Sequence, residues 1–344
     1  MLYTKMLYSY DDVMVQPAVV SEINSRRECN PFNKDEMLPI FTAPMSTVVN
    51  LENRDKFEEN NIYTIIPRNI DLQERLNSSL SGKWAAFSLK EFSNLFCNPY
   101  HVNTTDAIWR VLIDIANGHM QKMYDMVKTA KYIHGDKVQI MVGNIANPET
   151  YKVCYEAGVW GVRCSIGSGC GCITTSNTSI CYPIASLISE IYQMKNDIFL
   201  HNNFLNKERE EMPKIIADGG VRNYSDVIKA LALGADYVMV GSLFAAMDES
   251  AGETVVMDGK SYKEFYGMAS REGQIAINGE KTKTSEGIKK YLPIIGNISQ
   301  WTDNMTAYLR SAMSYCNIKD VKDFNPTNVT LNVVSNNTKN SINK

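Results

Sequence analysis

The feature that most constrains this chain is a repeated alternation of short, continuously apolar β-type runs with loops and helix-like stretches. Candidate strands cover Leu38–Ala43, Ile62–Ile66, Lys83–Ser88, Val111–Ile115, Val138–Gly143, Val159–Ser165, Lys214–Ala217 and Tyr237–Val240. Amphipathic stretches lie between several of them, most clearly Leu51–Asn60, Met120–His134, Pro148–Ala157, Ser186–Met194 and Ser225–Leu233. A run that is apolar at every position must be buried on both faces, as in a parallel sheet covered by helices. Eight such units predict a closed (β/α)8 barrel, which fits within the 344 residues as one domain. Pro148 suits a first helical turn behind Asn147 as cap, and Ser225 stands where a cap would open the next helix.

Composition removes other classes. With 35 basic and 38 acidic residues the formal charge is −3, and no basic run exists to neutralise a nucleic-acid backbone. The apolar run Ala230–Met247 contains Gly234, Asp236 and Gly241, so it reads as a helix end plus a buried strand rather than a membrane span. Met1–Lys5 lacks the charged-then-apolar pattern of an export signal, and the expectation is a cytoplasmic protein. The eight cysteines are irregularly spaced and read as reduced thiols, Cys154 and Cys164 as small buried hydrophobes. The four histidines fall outside the Cys154–Cys181 cluster, which disfavours a zinc site there.

Small and polar residues gather where the candidate strands end. In chain order they are Pro44-Met45-Ser46, Arg68-Asn69, Asp114 with Asn117-Gly118, Asn144, the Gly167–Cys172 loop, Asp218-Gly219-Gly220 and Gly241-Ser242. A barrel would bring all of them to its carboxyl-end face, where such folds build their sites. The last two clusters follow strands seven and eight, the usual place for a phosphate, and bare glycine N–H groups can approach its oxygens. Met247–Pro293 reads as a long loop-rich stretch, with a mobile flap at about 270–293. A helix at Ser299–Cys316 closes the outer ring, His201–Glu211 reads as a surface loop, and the Asn-rich 325–344 as a poorly ordered tail beyond the 1–324 barrel.

The densest chemical segment is Arg163–Thr175, where glycines around Cys170 and Cys172 leave a thiol and bare backbone accessible. With Ala43–Val48 upstream and Asp218–Gly220 downstream, this loop resembles the IMP dehydrogenase and GMP reductase family. The likeness runs from about Tyr8 to Cys316. It implies a (β/α)8 barrel that binds a purine nucleotide and a nicotinamide cofactor, with a cysteine bonding covalently to purine C2. Three features resemble the reductase branch: Ile113–His119, Ser25–Glu28 and Ser285-Glu286-Gly287. The regulatory insertion common in the dehydrogenases is absent after Arg68.

The resemblance implies NADPH-dependent reductive deamination of GMP to IMP, with ammonia released. Cys172 would be the nucleophile, and Thr174 with Glu286 would relay the proton that the leaving amine needs. Asp218, Gly219, Gly220, Gly241 and Ser242 would hold ribose and phosphate, and Tyr266, Gly267 and Met268, with Met45, would continue to the base. Arg68, Asp114, Ile115, Ala116 and Asn144 would face the cofactor. Ser25 and Arg26 from a neighbouring subunit, and Ser311, Ser314 and Tyr315 on the last helix, would complete its site. Main-chain positions of Gly167, Gly169 and Cys172 would bind potassium. The family is commonly tetrameric, and a contact from a neighbour requires at least a dimer. In one departure, Cys170 replaces a serine that usually donates to the substrate phosphate, and a thiol is the weaker donor. The competing readings are a dehydrogenase without its insertion, a catalytically silent purine-binding barrel and a flavin-using barrel.

Overall fold

The computed structural model describes residues 5–101, 107–171, 173–204, 211–280, 284–285 and 287–335. Eight parallel strands form its centre: β1 Ile40–Thr42, β2 Ile65–Ile66, β3 Trp84–Phe87, β4 Trp109–Ile113, β5 Val138–Ile145, β6 Gly161–Cys164, β7 Lys214–Asp218 and β8 Tyr237–Val240. Each pairs with its sequence neighbour from β2 to β8, and β8 pairs with β1 through Ile40↔Val238 and Thr42↔Val240. A parallel bridge between Phe41 and Tyr63 closes the ring, with Thr42 N–H donating to the Tyr63 carbonyl at 2.8 Å. The fold is the expected (β/α)8 barrel.

Around the barrel run α1 Arg54–Glu59, α2 Leu72–Leu80, α3 Leu89–Phe96, α4 Gln121–His134, α5 Thr150–Ala157, α6 Thr174–Thr178, α7 Ile184–Phe204, α8 Tyr224–Ala232, α9 Ser242–Ala245, α10 Arg271–Asn278 and α11 Ile298–Tyr315. Strand residues alternate between two cores. Outward residues such as Ile40, Val111, Ile140, Val162 and Val238 pack against the helices, whereas Phe41, Ile65, Ala86, Leu112, Met141, Ile216 and Met239 fill the barrel. At the amino-terminal end the interior is plugged by aromatic rings, Trp84 lying 4.5 Å from Trp160 and Phe41 5.0 Å from both Tyr63 and Tyr237. Polar chemistry is left to the opposite end.

Several expectations are corrected. The 247–293 stretch is not mainly loop: β9 Thr254–Met257, β10 Lys260–Tyr266 and β11 Lys289–Pro293 form an antiparallel sheet, with α10 between β10 and β11. Much of the expected flap is therefore regular structure. The 325–344 stretch is not uniformly irregular either, because Thr330–Val333 pairs antiparallel with Val13–Gln16 and Val329 is buried. Residues 336–344 lie outside the described residues. Helix α7 continues to Phe204, into the expected surface loop. Asn223 rather than Ser225 caps α8, accepting from Asp226 N–H. Asn147 does act at the start of α5, its side chain accepting from Glu149 N–H at 3.0 Å. No described helix is long and apolar enough to cross a membrane.

Arg75 of α2 illustrates how the outer ring is locked. Its guanidinium is buried, donating to the Ile70 and Ala86 carbonyls at 2.8 Å and forking onto Glu91 of α3 at 2.7 and 3.2 Å. Burial alone would raise the Glu91 pKa, but the Arg75 fork and the Ser88 N–H and hydroxyl outweigh it and bring it down to about 2. A carboxylate depressed in the folded state stabilises fully above its unfolded pKa of about 4.3 and loses that contribution as pH falls through its folded pKa. Glu91→Gln is expected to lose about 2–3 kcal/mol at pH 7 in denaturant unfolding. The difference from wild type should shrink as pH falls from about 4 towards 2, and a pH-independent deficit would contradict the assignment.

Candidate active site

Strand β6 sends Gly161 and Arg163 inward where its neighbours send apolar residues. Arg163 is buried and forms a polar layer above the apolar core, pairing with Asp114 at 2.8 Å and with Asp218 at 2.8 and 3.0 Å. Asn144 adds a 2.7 Å bond to Asp218. Burial by itself would lower the Arg163 pKa, but the two carboxylates more than offset it and hold the guanidinium charged. Gly143, at φ +147°, makes room: a Cβ there would meet the Arg163 Cβ at 2.6 Å.

Above this layer is a cavity of about 410 Å³ at the carboxyl end of the barrel. The 165–171 loop, Asp218–Arg222, Gly241-Ser242 and Gly267–Ala269 line it, together with Ala43, Met45, Ala116, Asn144, Thr174, Met239, Phe265 and Gly287. Its volume and apolar walls with a few convergent polar groups are those of a small-molecule site. Gly219, at φ +105°, lets the 168–169 backbone approach, since a Cβ would sit 3.3 Å from Gly169 N. The Gly220 N–H, expected to face phosphate, donates instead to the Ser168 carbonyl at 3.1 Å. The sheet after the barrel lies over the thiol loop: Ile288 N–H donates to the Gly171 carbonyl at 3.1 Å. The Asp114–His119 loop is held by Tyr124, whose hydroxyl donates to the Gly118 carbonyl, and by His119, whose Nε2 accepts from Ala146 N–H at 3.1 Å. Burial lowers the His119 pKa and favours the neutral ring that this acceptance requires.

The structure thus gathers most of the sequence-derived residues at one cavity: Met45, Ala116, Asn144, Gly167, Gly169, Thr174, Asp218, Gly219, Gly220, Gly241, Ser242, Gly267 and Met268. Tyr266 lies just outside it, its carbonyl accepting from the Thr47 hydroxyl at 3.4 Å. Asp114 and Ile115 are not in the wall, and Arg68 reaches the Asp114 carbonyl at 3.3 Å. Cys172 and Glu286 lie outside the described residues, though their neighbours Gly171 and Gly287 both line the cavity. Ser25, Arg26, Ser311, Ser314 and Tyr315 are not in the wall. They share a separate surface where the segment around residues 18–28 packs on α11, with Ser21 donating to the Ser314 carbonyl at 2.7 Å and Ala18 to that of Tyr315 at 2.9 Å. Sequence reasoning missed the role of Arg163, although a charge inside an apolar strand already demands buried partners. It also missed Lys290 of β11, whose ammonium donates to the Cys170 carbonyl at 2.7 Å and lies 3.7 Å from its Sγ.

The strand-end face also has unmet hydrogen-bonding capacity. Arg68 Nε and Asn69 Oδ1 are buried without a partner beside the Asp114 loop, as fits a face that awaits a polar ligand such as a nicotinamide cofactor.

Comparison with known proteins agrees with the geometry. Residues 102–342 match a family model described as the IMP dehydrogenase / GMP reductase domain. A GMP reductase of Staphylococcus epidermidis is 32% identical over 329 residues, covering 92% of this chain and 93% of the relative. GMP reductases of Staphylococcus saprophyticus and Staphylococcus aureus are each 31% identical, over 327 and 328 residues and 92% of this chain. With its barrel, its thiol loop at the carboxyl-end cavity and likeness over nearly its whole length, this chain belongs to the IMP dehydrogenase/GMP reductase family.

Proposed function

We propose that the protein is an NADPH-dependent GMP reductase that converts GMP to IMP and releases ammonia. The observation that supports this most directly is the meeting of two segments. Gly171, beside Cys172, and Gly287, beside Glu286, line one cavity, and Ile288 is hydrogen-bonded to Gly171. A nucleophilic thiol and a carboxyl acid are the two groups that removal of an amine from purine C2 requires. The relatives named GMP reductase favour the same branch.

In this reading the Cys172 thiolate bonds to C2 of GMP. Thr174 and Glu286 deliver a proton to the exocyclic amine, which departs as ammonia and leaves a thioimidate. Ala116 and Asn144 would hold NADPH, which when bound would supply the hydride that C2 needs. Collapse of the C2–S bond then returns the thiolate and frees IMP. Apolar walls at Met45, Met239, Met268 and Phe265 exclude water from C2, so that hydrolysis does not compete. Cys172→Ala should abolish NADPH oxidation with GMP, and retained turnover would exclude the covalent scheme. Glu286→Gln should slow turnover at least ~100-fold while leaving GMP binding nearly intact. In the same assay, turnover only with IMP and NAD⁺ would reassign the chain to the dehydrogenase branch.

The surface formed by Ser25, Arg26 and the end of α11 belongs to the cofactor site of a neighbouring subunit in this proposal, with Arg26 facing the NADPH 2′-phosphate through charge-assisted bonds. A homo-oligomer, a tetramer by resemblance, follows. Arg26→Ala should raise the KM for NADPH more than that for NADH. Co-refolding Arg26→Ala with Cys172→Ala should restore part of the activity at limiting NADPH, because mixed interfaces then pair one intact thiol with one intact Arg26. No recovery in verified mixed oligomers would place Arg26 in its own subunit's site or outside catalysis.

A further inference from the structure

Lys290 stands where the sheet over the barrel meets the thiol loop. It is half-buried, and its ammonium reaches both the carbonyl and the sulfur of Cys170, which lines the cavity. The adjacent Lys289 is paired with Glu264 at 2.8 Å, whereas among the described residues no carboxylate lies within ion-pair reach of Lys290. Other cations around the cavity are committed: Arg163 to Asp114 and Asp218, Arg222 to Asp11 and Asp226. An ammonium has three donors and no acceptor, and a thiol sulfur accepts only weakly. Lys290, itself outside the cavity wall, therefore keeps donor capacity beside Cys170, which is part of that wall.

The phosphate end of the cavity lacks two donors that the sequence pattern leads one to expect. The Gly220 N–H is occupied by the Ser168 carbonyl, and residue 170 carries a thiol in place of the usual hydroxyl. The geometry points to Lys290 as the group that makes up this deficit: with Cys170 it forms a cationic corner that recognises the phosphate monoester of the purine nucleotide. The inference rests on the reading of the cavity as a GMP site and adds to it a specificity-determining side chain from outside the barrel. Lys290 is a substrate-binding residue here, with its bond to the Cys170 carbonyl aiming the ammonium.

Equilibrium binding of GMP and of guanosine, which lacks the phosphate, to the full-length protein without cofactor tests this. Lys290→Gln should weaken GMP about 10- to 100-fold, the range expected for loss of one charge-assisted hydrogen bond. Guanosine affinity should be unchanged, and Lys290→Arg should retain most of the GMP affinity. Equal weakening of GMP and guanosine would make Lys290 only a clasp between sheet and loop, and no change in either would remove it from the site; both overturn the proposal. Wild-type protein that binds GMP without turning it over would sink the reductase reading while this comparison still decides Lys290. Wild-type protein that binds neither compound would sink both.

Discussion

The constraint on which the rest of the site depends is the burial of Arg163 between Asp114 and Asp218. A guanidinium at this depth is tolerable only with partners, and losing one typically costs about 3–5 kcal/mol because the remaining charge stays buried. The pairing fixes the ends of β4, β6 and β7 at one height, and Asn144 ties β5 to the same point. Asp218 opens the Asp218-Gly219-Gly220 turn and Asp114 opens the loop to His119. One ion-pair layer thus anchors the loop that lines the cavity and the loop beside it. Glycine-rich loops, which would otherwise be costly to order, start from a rigid base.

The base also explains the backbone chemistry above it. Gly143 yields to Arg163, and Gly219 yields to the 168–169 backbone. Each close approach is enabled by a missing side chain and removes freedom from its neighbour. The loop around Cys170 is held from three sides: by Gly220 N–H, by Ile288 N–H and by the Lys290 ammonium. In the proposed reaction the Cys172 thiolate must be presented in one geometry, and these bonds restrict the residues that precede it.

The barrel was legible because its strands are apolar on both faces, a pattern that few other arrangements satisfy. Helix α2 was not, because the face it buries carries Arg75, Ser78 and Ser79 rather than an apolar stripe. Helix α3 was overlooked although Ser88 and Glu91 form a capping box, a signal present in the sequence itself. The sheet of β9–β11 reads as loop because its strands are only partly buried and their more buried positions include Lys263 and Lys290, so the alternating burial is not matched by an apolar–polar alternation in the sequence. Thr330–Val333 was hidden for the same reason: it is largely exposed and pairs with a strand more than 300 residues earlier, which no local pattern reports. Among site residues, those at strand ends were readable by position. The contact of Lys290 with Cys170 depends on how a separate sheet docks, and nothing within a few residues of either encodes it.

The arginines around the cavity are committed to holding its loops. Arg163 beneath the cavity and Arg222 in its wall are both bound by carboxylates of the same chain, which leaves them little capacity for a phosphorylated ligand. Arg26, exposed and without an ion pair among the described residues, lies instead on the surface shared with α11, outside the cavity wall. In the proposed reaction a dinucleotide would extend beyond the cavity, and its anionic end would need a cation. With Arg163 and Arg222 used to fix the cavity loops, Arg26 would meet that end from a neighbouring subunit in that proposal. Rigid loops at the cavity and a cofactor contact from outside the barrel would then be two consequences of the same distribution of arginines.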